Sequence, residues 1–370
     1  MMKDNDLDLL LLNVFENVKY VTDTSPPLGI ESAVHYYGAV LPAEGAPTLV
    51  TPYPGENPMR LRLVVTSKYA YIPCSVVGKE YAKLYAKILQ DNTSRKGSGL
   101  RIGVDLLTFD IYHELRNMFE GTYVSVCKNM LETRAVKMEE EIKLMREAAR
   151  VVDVGVTAAQ KKLNPGVSEY EVAGAVLNAM AMEGIEQISF WPVAVSGKTP
   201  PSSESSGVMT SHRKIGKDDV VIVDHGCFVK GGYAGDIGRV FFLGSGHERT
   251  KELYQALYDV MMNGIRKVRP GAYGSEVDEA CRSTIKERGF PDPDAEIGHG
   301  MGLRGGEFPR ITRAKEAKAT GTDMKLEPGM IVNLEPIVHV PKSMWMWVEN
   351  TMLVTESGNE VLTKFPFEPT

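Results

Sequence analysis

The stretch DDVVIVDHGCFVKGGYAGDIGRVFFLG, residues 218–244, decides the fold. Two apolar runs rich in valine, isoleucine and phenylalanine flank a Lys-Gly-Gly segment, and this pattern predicts a β-hairpin. Each run contains one acid, Asp224 in the first and Asp236 in the second. A carboxylate is costly to bury among apolar residues unless it has a partner. Either Asp224 caps a turn and Asp236 pairs with Arg239, or both acids bind a cation.

Three further residues of the metal-ligand type follow: His299 in IGHGMG, Glu335 in VNLEPI and Glu349 in MWVENTMLV. A lone acid in such a strand usually faces solvent, and a lone histidine in a glycine-rich turn is usually structural. Four carboxylates and one imidazole together suit two divalent ions that share bridging carboxylates and activate water between them. We therefore expect two divalent metal ions, chosen from Mn, Fe, Co and Zn, and hydrolysis as the leading function.

The glycine-rich segment GMGLRG, residues 300–305, also fits the dinucleotide-binding pattern GxGxxG. That pattern needs a strand before it and a helix after it. Here the proline-containing segment GEFPRI follows instead of a helix. We therefore predict no nucleotide cofactor.

The composition is that of a globular protein, with 43% hydrophobic and 24% charged residues in 370. A net charge of -6 argues against general nucleic-acid binding, which needs a basic face. The apolar run Leu9–Leu12 is too short for a signal peptide, and no stretch approaches a membrane span. Four cysteines without CxxC spacing predict buried, reduced thiols. We expect a cytoplasmic protein with no nucleic-acid or membrane partner.

The first 130 or so residues alternate short apolar runs with segments of helical periodicity, which predicts an α/β domain with a partly parallel sheet. The predicted strands are LDLLLLN, APTLVTPY, YAYIPC and GLRIGVD, and the predicted helices are GKEYAKLYAKILQ and TFDIYHELRNMF. The charged stretch ETRAVKMEEEIKLMREAARVV then opens a long amphipathic helix. We place the domain boundary near residue 132, which gives domains at 1–132 and 133–370.

The second domain contains an internal repeat. KKLNPGVSEYEVAGAV at 161–176 matches RKVRPGAYGSEVDEAC at 266–281, and four identities share one offset along the chain. Pro-Gly ends one helix in each copy, and Ser168 or Ser275 can cap or open the next. The second domain is therefore predicted to consist of two duplicated halves that enclose one site.

With these motifs in order, the second domain resembles the pita-bread metalloenzyme family, which includes methionine aminopeptidase, prolidase, aminopeptidase P and creatinase. DHG, GDIGR, GHGMGL, LEPGM with LEP, and VENTMLVTESG correspond to the family's signatures over roughly residues 138–365. The resemblance implies an α/β (α+β) fold. A creatinase-like α/β domain would precede a pita-bread domain whose duplicated halves surround a curved antiparallel sheet.

The same resemblance assigns roles to the five ligand-type residues. It implies that Asp224 chelates one ion, that His299 and Glu335 bind the other, and that Asp236 and Glu349 bridge the two. Glu335 would also relay the proton when activated water attacks a carbonyl carbon. Two-domain members of the family commonly form homodimers, so a homodimer is expected.

The chain also departs from the family. Its peptidases carry two substrate-contacting histidines, and neither is present here. The segment 195–219 is longer and has no Pro-His step, and Gly306 stands in the second position. The turn Lys-Gly-Gly is longer than usual, and Gly238 replaces the usual threonine.

Rebuilt contacts are therefore expected. We predict His225 and His339 as catalytic residues beside Glu335, and His212, Arg304 and Glu307 as substrate-binding residues, with Arg310 as a further possibility. The predicted reaction is cleavage of an amide-type C–N bond in a small molecule or dipeptide. Alternatives are a metal-dependent lyase acting on a small carboxylate, an active Xaa-Pro dipeptidase or aminopeptidase, and a non-enzymatic interaction module.

Overall fold

The computed structural model describes residues 1–24, 37–51, 68–71, 78–94, 97, 99–198, 209–245, 247–340 and 344–367. The chain divides into two compact units, Met1–Thr133 and Arg134–Thr370. The domain limits 1–132 and 133–370 stay a proposal for the full protein. Among the described residues, no helix combines the length and the apolar character that crossing a lipid bilayer requires.

The N-terminal unit contains a six-stranded mixed sheet in the order β4-β3-β2-β1-β5-β6. Its strands are β1 (Leu9–Leu12), β2 (Gly38–Pro42), β3 (Thr48–Thr51), β4 (Lys68–Tyr71), β5 (Arg101–Val104) and β6 (Thr122–Ser125). Its helices are α1 (Phe15–Thr22), α2 (Lys79–Asp91), α3 (Phe109–Met118) and α4 (Cys127–Ala135). The pairs β1/β5, β5/β6 and β3/β4 are parallel, whereas β1/β2 and β2/β3 are antiparallel. The predicted partly parallel sheet is confirmed.

The central strand β1 is buried along its whole length, as a run of four leucines requires. Where β1 ends, the buried carboxylate of Asp105 accepts hydrogen bonds from the backbone N–H groups of Asn13 and Val14 and from the side chain of Asn17. These donors lie at the start of α1, so Asp105 satisfies helix N–H groups that have no partner within the helix.

The C-terminal unit begins with a long helix and contains two sets of antiparallel strands. The helices are α5 (Glu139–Lys162), α6 (Glu169–Met182), α7 (Glu248–Lys267), α8 (Gly274–Glu287) and α9 (Ala314–Thr320). The strands are β7 (Gln187–Ile188), β8 (Val193–Gly197), β9 (Val220–Val229), β10 (Tyr233–Phe242), β11 (Gly298–Met301), β12 (Gly305–Ile311), β13 (Ile331–Leu334), β14 (Ile337–Val340), β15 (Met344–Trp347), β16 (Asn350–Thr355) and β17 (Gly358–Val361).

One sheet joins β10, β9, β8 and β7, and another has the order β12-β11-β13-β16-β17. The hairpin predicted from residues 218–244 is formed by β9 and β10, with Asp224 opposite Gly238 and Asp236 opposite Gly226. β14 and β15 form a second hairpin between Glu335 and Glu349. The predicted α/β class with an antiparallel C-terminal domain is confirmed.

The internal repeat has equivalent backbone contacts in its two copies. Gly166 N–H donates to Ile215 O, and Gly271 N–H donates to Leu326 O, both at 2.8 Å. Ser168 caps α6 as predicted, and its side chain accepts from Glu171 N–H. Ser275 instead lies inside the first turn of α8, where its hydroxyl donates to Asp323 at 2.8 Å. The two copies therefore share the turn but differ in the cap.

A buried carboxylate joins the two sides of the segment between β8 and β9. Glu169, 3% exposed, accepts from the backbone N–H and hydroxyl of Ser196, both at 2.7 Å. Its second oxygen accepts from the backbone N–H and hydroxyl of Ser211 at 3.0 and 2.6 Å. Residues 199–208 of this segment, where the Pro-His step is missing, lie outside the described residues.

The predicted burial of the cysteines holds for Cys227 and Cys281 but not for Cys127. Cys127, Cys227 and Cys281 are free thiols, and Cys127 is exposed rather than buried because it begins α4 at the surface of its unit. Cys74 lies outside the described residues.

Candidate metal centre

The hairpin β9–β10 presents both predicted aspartates on one face. Side chains alternate along a strand, so Asp224, Asp236 and their partners Gly238 and Gly226 share a face. Asp236 and Arg239 are three residues apart on β10 and therefore point to opposite faces. The interpretation that Asp236 pairs with Arg239 is not supported, because Arg239 donates instead to the backbone oxygens of Glu349 and Phe365 and to Asn350 Oδ1.

Glu349 completes a carboxylate cluster with these two residues. One oxygen from each of Asp224, Asp236 and Glu349 lies within 4.8 Å of the other two. Asp224 and Glu349 are 125 positions apart in the chain. The packing of the loop before β16 against β10 brings them together. Glu349 N–H donates to Gly238 O at 3.1 Å, which fixes that packing.

His299 and Glu335 lie next to each other at the end of two paired strands, β11 and β13. His299 Nε2 is 3.5 Å from Glu335 Oε1. His299 Nδ1 lies 3.0 Å from both Gly300 O and Gly306 N. In the tautomer with its proton on Nε2, Nδ1 accepts from Gly306 N–H. In the tautomer with its proton on Nδ1, the ring donates to Gly300 O, and Nε2 keeps the lone pair that a cation needs.

Burial raises the pKa of all four acids. The pKa of Asp224 and of Glu335 rises to about 7. The pKa values of Asp236 and Glu349 rise well above the ordinary range because burial is reinforced by the neighbouring carboxylates. Burial lowers the pKa of His299, which keeps the imidazole neutral. The negative charge of Glu335 contributes to the raised pKa of each of the three clustered acids, so Glu335 belongs to the same group of charges.

These residues fit divalent cations. Among the described residues, Asp224 Oδ1 and Asp236 Oδ1 are buried and have no hydrogen-bond partner. Buried carboxylates of this kind are costly unless a cation or a proton neutralises them. Four acids and one neutral imidazole supply oxygen and nitrogen donors of the kind that Mn, Fe, Co and Zn accept.

Three supporting residues were missed in the sequence. Trp347 Nε1 donates to Asp224 Oδ2 at 3.1 Å, and Asn333 Nδ2 donates to Glu349 Oε2 at 3.3 Å. Thr351 donates to Asn333 Oδ1 at 3.1 Å. Trp347 is two residues before Glu349, and the spacing of the two in the apolar run MWVENTMLV is the sequence signal that places both on one side of an extended segment.

The structure does not support the prediction of His225 as a catalytic residue. His225 follows Asp224 on β9, so its side chain points to the other face, where it is completely buried against Gly155 of α5. Its Nε2 lies 2.9 Å from Val152 O. Burial lowers the pKa of His225 to about 4, so it is a neutral core residue.

The prediction of Glu307 as a substrate-binding residue is also not supported by the structure. Glu307 is 1% exposed. Its Oε1 accepts from Arg134 Nη2 at 2.8 Å, and its Oε2 is 3.8 Å from Lys137 Nζ. Arg134 and Lys137 are themselves buried. Glu307 therefore neutralises two buried cations and is not available to a substrate.

Three other residues predicted to bind substrate or to act in catalysis have no described contact with the carboxylate cluster. His212 is exposed, and its ring centroid lies 4.7 Å from that of Tyr170. His339 lies on β14 with its ring centroid 5.9 Å from that of Trp345. Arg304 is exposed. In the described part of the chain, no hydrogen bond or ion pair joins these three residues to the carboxylate cluster.

Arg310 is connected to the ligand-type residues. It lies opposite His299 in the β11–β12 pairing, and its positive charge counteracts the rise in the pKa of Glu335. Its side chain pairs with Glu296 and donates to Gly306 O at 2.8 Å. Arg310 is half-buried beside the site, so its charge acts there directly.

Gly306, the residue at the position of the second missing histidine, has a backbone function. Its φ of 78° lies in the left-handed region, which favours glycine. Its N–H points to His299 Nδ1, and its carbonyl accepts from Arg310. A side chain at this position would strain the backbone in its present conformation.

Glu307→Gln is expected to destabilise the fold and to leave metal binding intact. The variant leaves two buried cations without their carboxylate, which typically costs about 3–5 kcal/mol. Chemical unfolding of the variant measures this loss. Arg304→Ala, at an exposed position three residues away, is the control and should change the free energy of unfolding by less than about 0.5 kcal/mol. A Glu307→Gln protein as stable as the parent would show that the buried ion group contributes little.

Metal removal is expected to make stability depend on pH. The pKa of Asp224 and Glu335 is about 7 in the fold, whereas ordinary acids titrate near 4. Between these values the metal-free fold binds more protons than the unfolded chain, so its stability falls as pH rises. Bound cations remove this penalty. The difference in melting temperature between metal-loaded and chelator-treated protein should therefore widen from about pH 5 to about pH 8.

The titration of His225 contributes equally to both forms and cancels in this difference. A difference in melting temperature that stays constant across the pH range would contradict the burial of uncompensated acids at this centre.

Two sequence profiles match the chain. That of metallopeptidase family M24 matches residues 143–356, and that of the creatinase/prolidase N-terminal domain matches residues 1–136. An Xaa-Pro dipeptidase of Pyrococcus horikoshii is 28% identical and covers 98% of this chain and 94% of its own length. An uncharacterized peptidase of Bacillus subtilis is 32% identical over 69% of this chain and 73% of its own.

Solved structures show the same fold. The prolidase from Pyrococcus furiosus matches with a TM-score of 0.79 and 26% identity, over 99% of this chain and 98% of its own. The prolidase from Pyrococcus horikoshii matches with a TM-score of 0.79 and 25% identity, over 100% of this chain and 97% of its own.

Proposed function

Because the chain belongs to metallopeptidase family M24, we propose that it is a dinuclear-metal hydrolase that cleaves an amide-type C–N bond in a small substrate. A metal-dependent hydrolase of peptide bonds is the class of enzyme to which the family and the prolidase relatives point. Two ions, their ligands and an altered substrate preference are the features proposed for this chain.

The observation that carries the proposal is a cluster of one buried and two half-buried acids, of which Asp224 Oδ1 and Asp236 Oδ1 are buried atoms without a hydrogen-bond partner among the described residues. Asp224, Asp236 and Glu349 each offer one oxygen within 4.8 Å of the others. His299 and Glu335 add a nitrogen and an oxygen 3.5 Å apart. Asp236 and Glu349 would bridge two ions, Asp224 would hold the first, and His299 and Glu335 the second. A structural role alone gives no reason to group four acids where little solvent reaches them.

Bound divalent ions would lower the pKa of an attacking water and polarise the scissile carbonyl. Glu335 is suited to carry the proton, because its side chain keeps 29% exposure beside His299. It would accept a proton from the water and deliver it to the departing nitrogen. His299 stays neutral in this scheme and serves only as a ligand.

The substrate preference is proposed to differ from that of the peptidases. Gly306 offers no side chain where the family resemblance implies a substrate-contacting histidine, and no described contact brings His212 or His339 into that role. Arg310 lies opposite His299 and carries a positive charge beside Glu335, and a substrate carboxylate would pair with it in place of Glu296. N-acyl amino acids and related small amides fit these features.

An active Xaa-Pro dipeptidase is the second candidate. The relative from Pyrococcus horikoshii that is named as such covers nearly the whole chain. That coverage favours shared activity, whereas the residues around His299 favour a changed substrate. A kinetic comparison of the two substrate classes decides between them.

The reaction class is tested with metal-loaded protein and a panel of small N-acyl amino acids and dipeptides in isotopically labelled water. Hydrolysis places one labelled oxygen in the released carboxylate, which mass spectrometry detects. Formation of an alkene without label would identify a lyase and overturn the proposal. Chelator-treated protein is the control and should form no product.

A homodimer is expected from the two-domain relatives. Light scattering at micromolar concentration should give twice the mass of one chain. A mass equal to one chain would contradict this expectation.

A further inference from the structure

The indole of Trp347 contacts a proposed metal ligand directly. Its Nε1–H donates to Asp224 Oδ2 at 3.1 Å, and the side chain is 6% exposed. Trp347 ends β15, two residues before Glu349. One proposed ligand therefore follows it in the chain, and another accepts its hydrogen bond.

The absence of a side chain at Gly238 makes room for this contact. A Cβ at Gly238 would lie 3.0 and 3.1 Å from Glu349 Cγ and Cδ, and 3.1 Å from Trp347 Cδ1. Gly238 pairs with Asp224 across the hairpin, so the indole and the Glu349 side chain pack over the backbone next to Asp224. Glycine in place of the usual threonine at residue 238 thus leaves the space that the indole of Trp347 occupies.

We propose that Trp347 is a positioning residue that fixes the Asp224 carboxylate for metal binding. This inference rests on the proposed two-metal function and adds a residue to it. With Oδ2 held by the indole, the other oxygen, Oδ1, is buried and without a hydrogen-bond partner among the described residues. Oδ1 is therefore the oxygen left for a cation.

An indole is suited to this task by its chemistry. Its N–H donates and has no lone pair for a metal, so it orients the carboxylate without competing for the ion. It is neutral, so it does not offset the negative charge that attracts a divalent cation. Groups that orient ligands in this way typically change metal affinity by about 10–100-fold when they are removed.

The experiment compares zinc binding by the full-length protein, Trp347→Phe and Trp345→Phe. Phenylalanine keeps an aromatic ring at residue 347 and removes the donor. Trp345 is the matched control, because it lies two residues away on β15 and is 44% exposed. Zinc is the probe because its filled d shell rules out paramagnetic quenching. Equilibrium dialysis with elemental analysis gives the affinity and the number of ions.

The indole itself provides a second measurement. In the Trp345→Phe protein the remaining tryptophans are Trp347 and Trp191, which is 52% exposed. Zinc should change the emission of the buried indole because its hydrogen-bonded carboxylate becomes a ligand. The change should disappear in the Trp345→Phe/Trp347→Phe double variant, which retains Trp191 alone.

Gly238→Ala is an independent variant that keeps Trp347. Its methyl group requires the indole or Glu349 to move, so zinc affinity should fall with the indole still present. If Trp347→Phe fails to fold, a Trp191→Phe/Trp345→Phe protein, which keeps Trp347 as its single tryptophan, still tests the proposal: zinc should change its emission, and an unchanged emission would overturn the role of Trp347.

The expected result is a loss of about 10–100-fold in zinc affinity for Trp347→Phe, with Trp345→Phe unchanged. Equal zinc affinity in Trp347→Phe and the parent, or an emission change that survives in the double variant, would overturn the role of Trp347. A parent protein that binds none of zinc, manganese, iron and cobalt would instead overturn the proposed two-metal function.

Discussion

Asp236→Ala is expected to release both metal ions and to lower turnover by orders of magnitude. Asp236 lies in the middle of β10 with its carboxylate in the cluster, and as a proposed bridge it would contact both ions. Removal of a bridge weakens two binding positions at once. Glu349→Ala should have the same effect, because Glu349 is the second proposed bridge. Elemental analysis after dialysis and the turnover rate measure the two effects.

The metal-free form of the same variant is informative as well. Burial raises the pKa of Asp236, and repulsion by the carboxylates of Asp224 and Glu335 raises it further. Removal of one buried acid relieves that repulsion, so metal-free Asp236→Ala should melt at or above the temperature of the metal-free parent. The metal-loaded parent should melt higher than both, since ions that bind only the folded state stabilise it.

Glu360→Gln is the matched control for these variants, because Glu360 is an acid that pairs with Arg146 outside the cluster. It should keep its metal content and its turnover. An Asp236→Ala protein that retains two ions per chain would show that the ligand assignment is wrong.

Catalytic efficiency on Xaa-Pro dipeptides is expected to lie below about 10⁴ M⁻¹s⁻¹, the lower end of ordinary enzyme efficiency. The family resemblance implies that two imidazoles stabilise the reacting carbonyl in the peptidases. Loss of one such donor typically costs about 2.7–4 kcal/mol, or 10²–10³ in rate. Gly306 supplies no donor side chain, and no described contact replaces it.

The measurement uses Ala-Pro, Gly-Pro and a longer Xaa-Pro peptide, with Mn, Co, Zn and Fe supplied in turn. An N-acyl amino acid panel under the same conditions is the comparison. Higher efficiency on that panel would support the altered preference. Efficiency above about 10⁴ M⁻¹s⁻¹ on the dipeptides would establish a working Xaa-Pro peptidase.

The substitution Gly306→His is not expected to restore peptidase activity by itself. Gly306 has a φ of 78°, and an L-residue in the left-handed region costs roughly 1–2 kcal/mol. The N–H and C=O of Gly306 also contact His299 and Arg310. A change of backbone there would disturb a proposed ligand. The proposed preference would therefore depend on the backbone conformation at Gly306 as well as on the missing side chain.

The hairpin and the common face of Asp224 and Asp236 could be predicted from local pattern. Strand periodicity fixes which residues share a face, and the glycine turn fixes the register. The same periodicity already argued against His225, because adjacent residues on a strand point to opposite faces. The proximity of His225 to Asp224 in the sequence suggests a role at the site, but strand alternation outweighs it.

Other features depend on contacts between distant segments. Glu307 stands in a glycine-rich segment that reads as exposed, and only the approach of Arg134 and Lys137 buries it. The hydrogen bond from Trp347 to Asp224 spans 123 positions in the chain. Local periodicity contains no information on such pairs, so the residues that support the site had to come from the structure.

The four hydrogen bonds that Glu169 accepts from Ser196 and Ser211 make the intervening stretch a natural position for loop exchange. The ends are held by a buried carboxylate, so a graft between them leaves β8 and β9 anchored. Closing a longer loop costs little, about 0.6 kcal/mol for each doubling of length. Segments from peptidase relatives could thus replace the residues between Ser196 and Ser211. Such replacements would change substrate specificity while the rest of the domain keeps its structure.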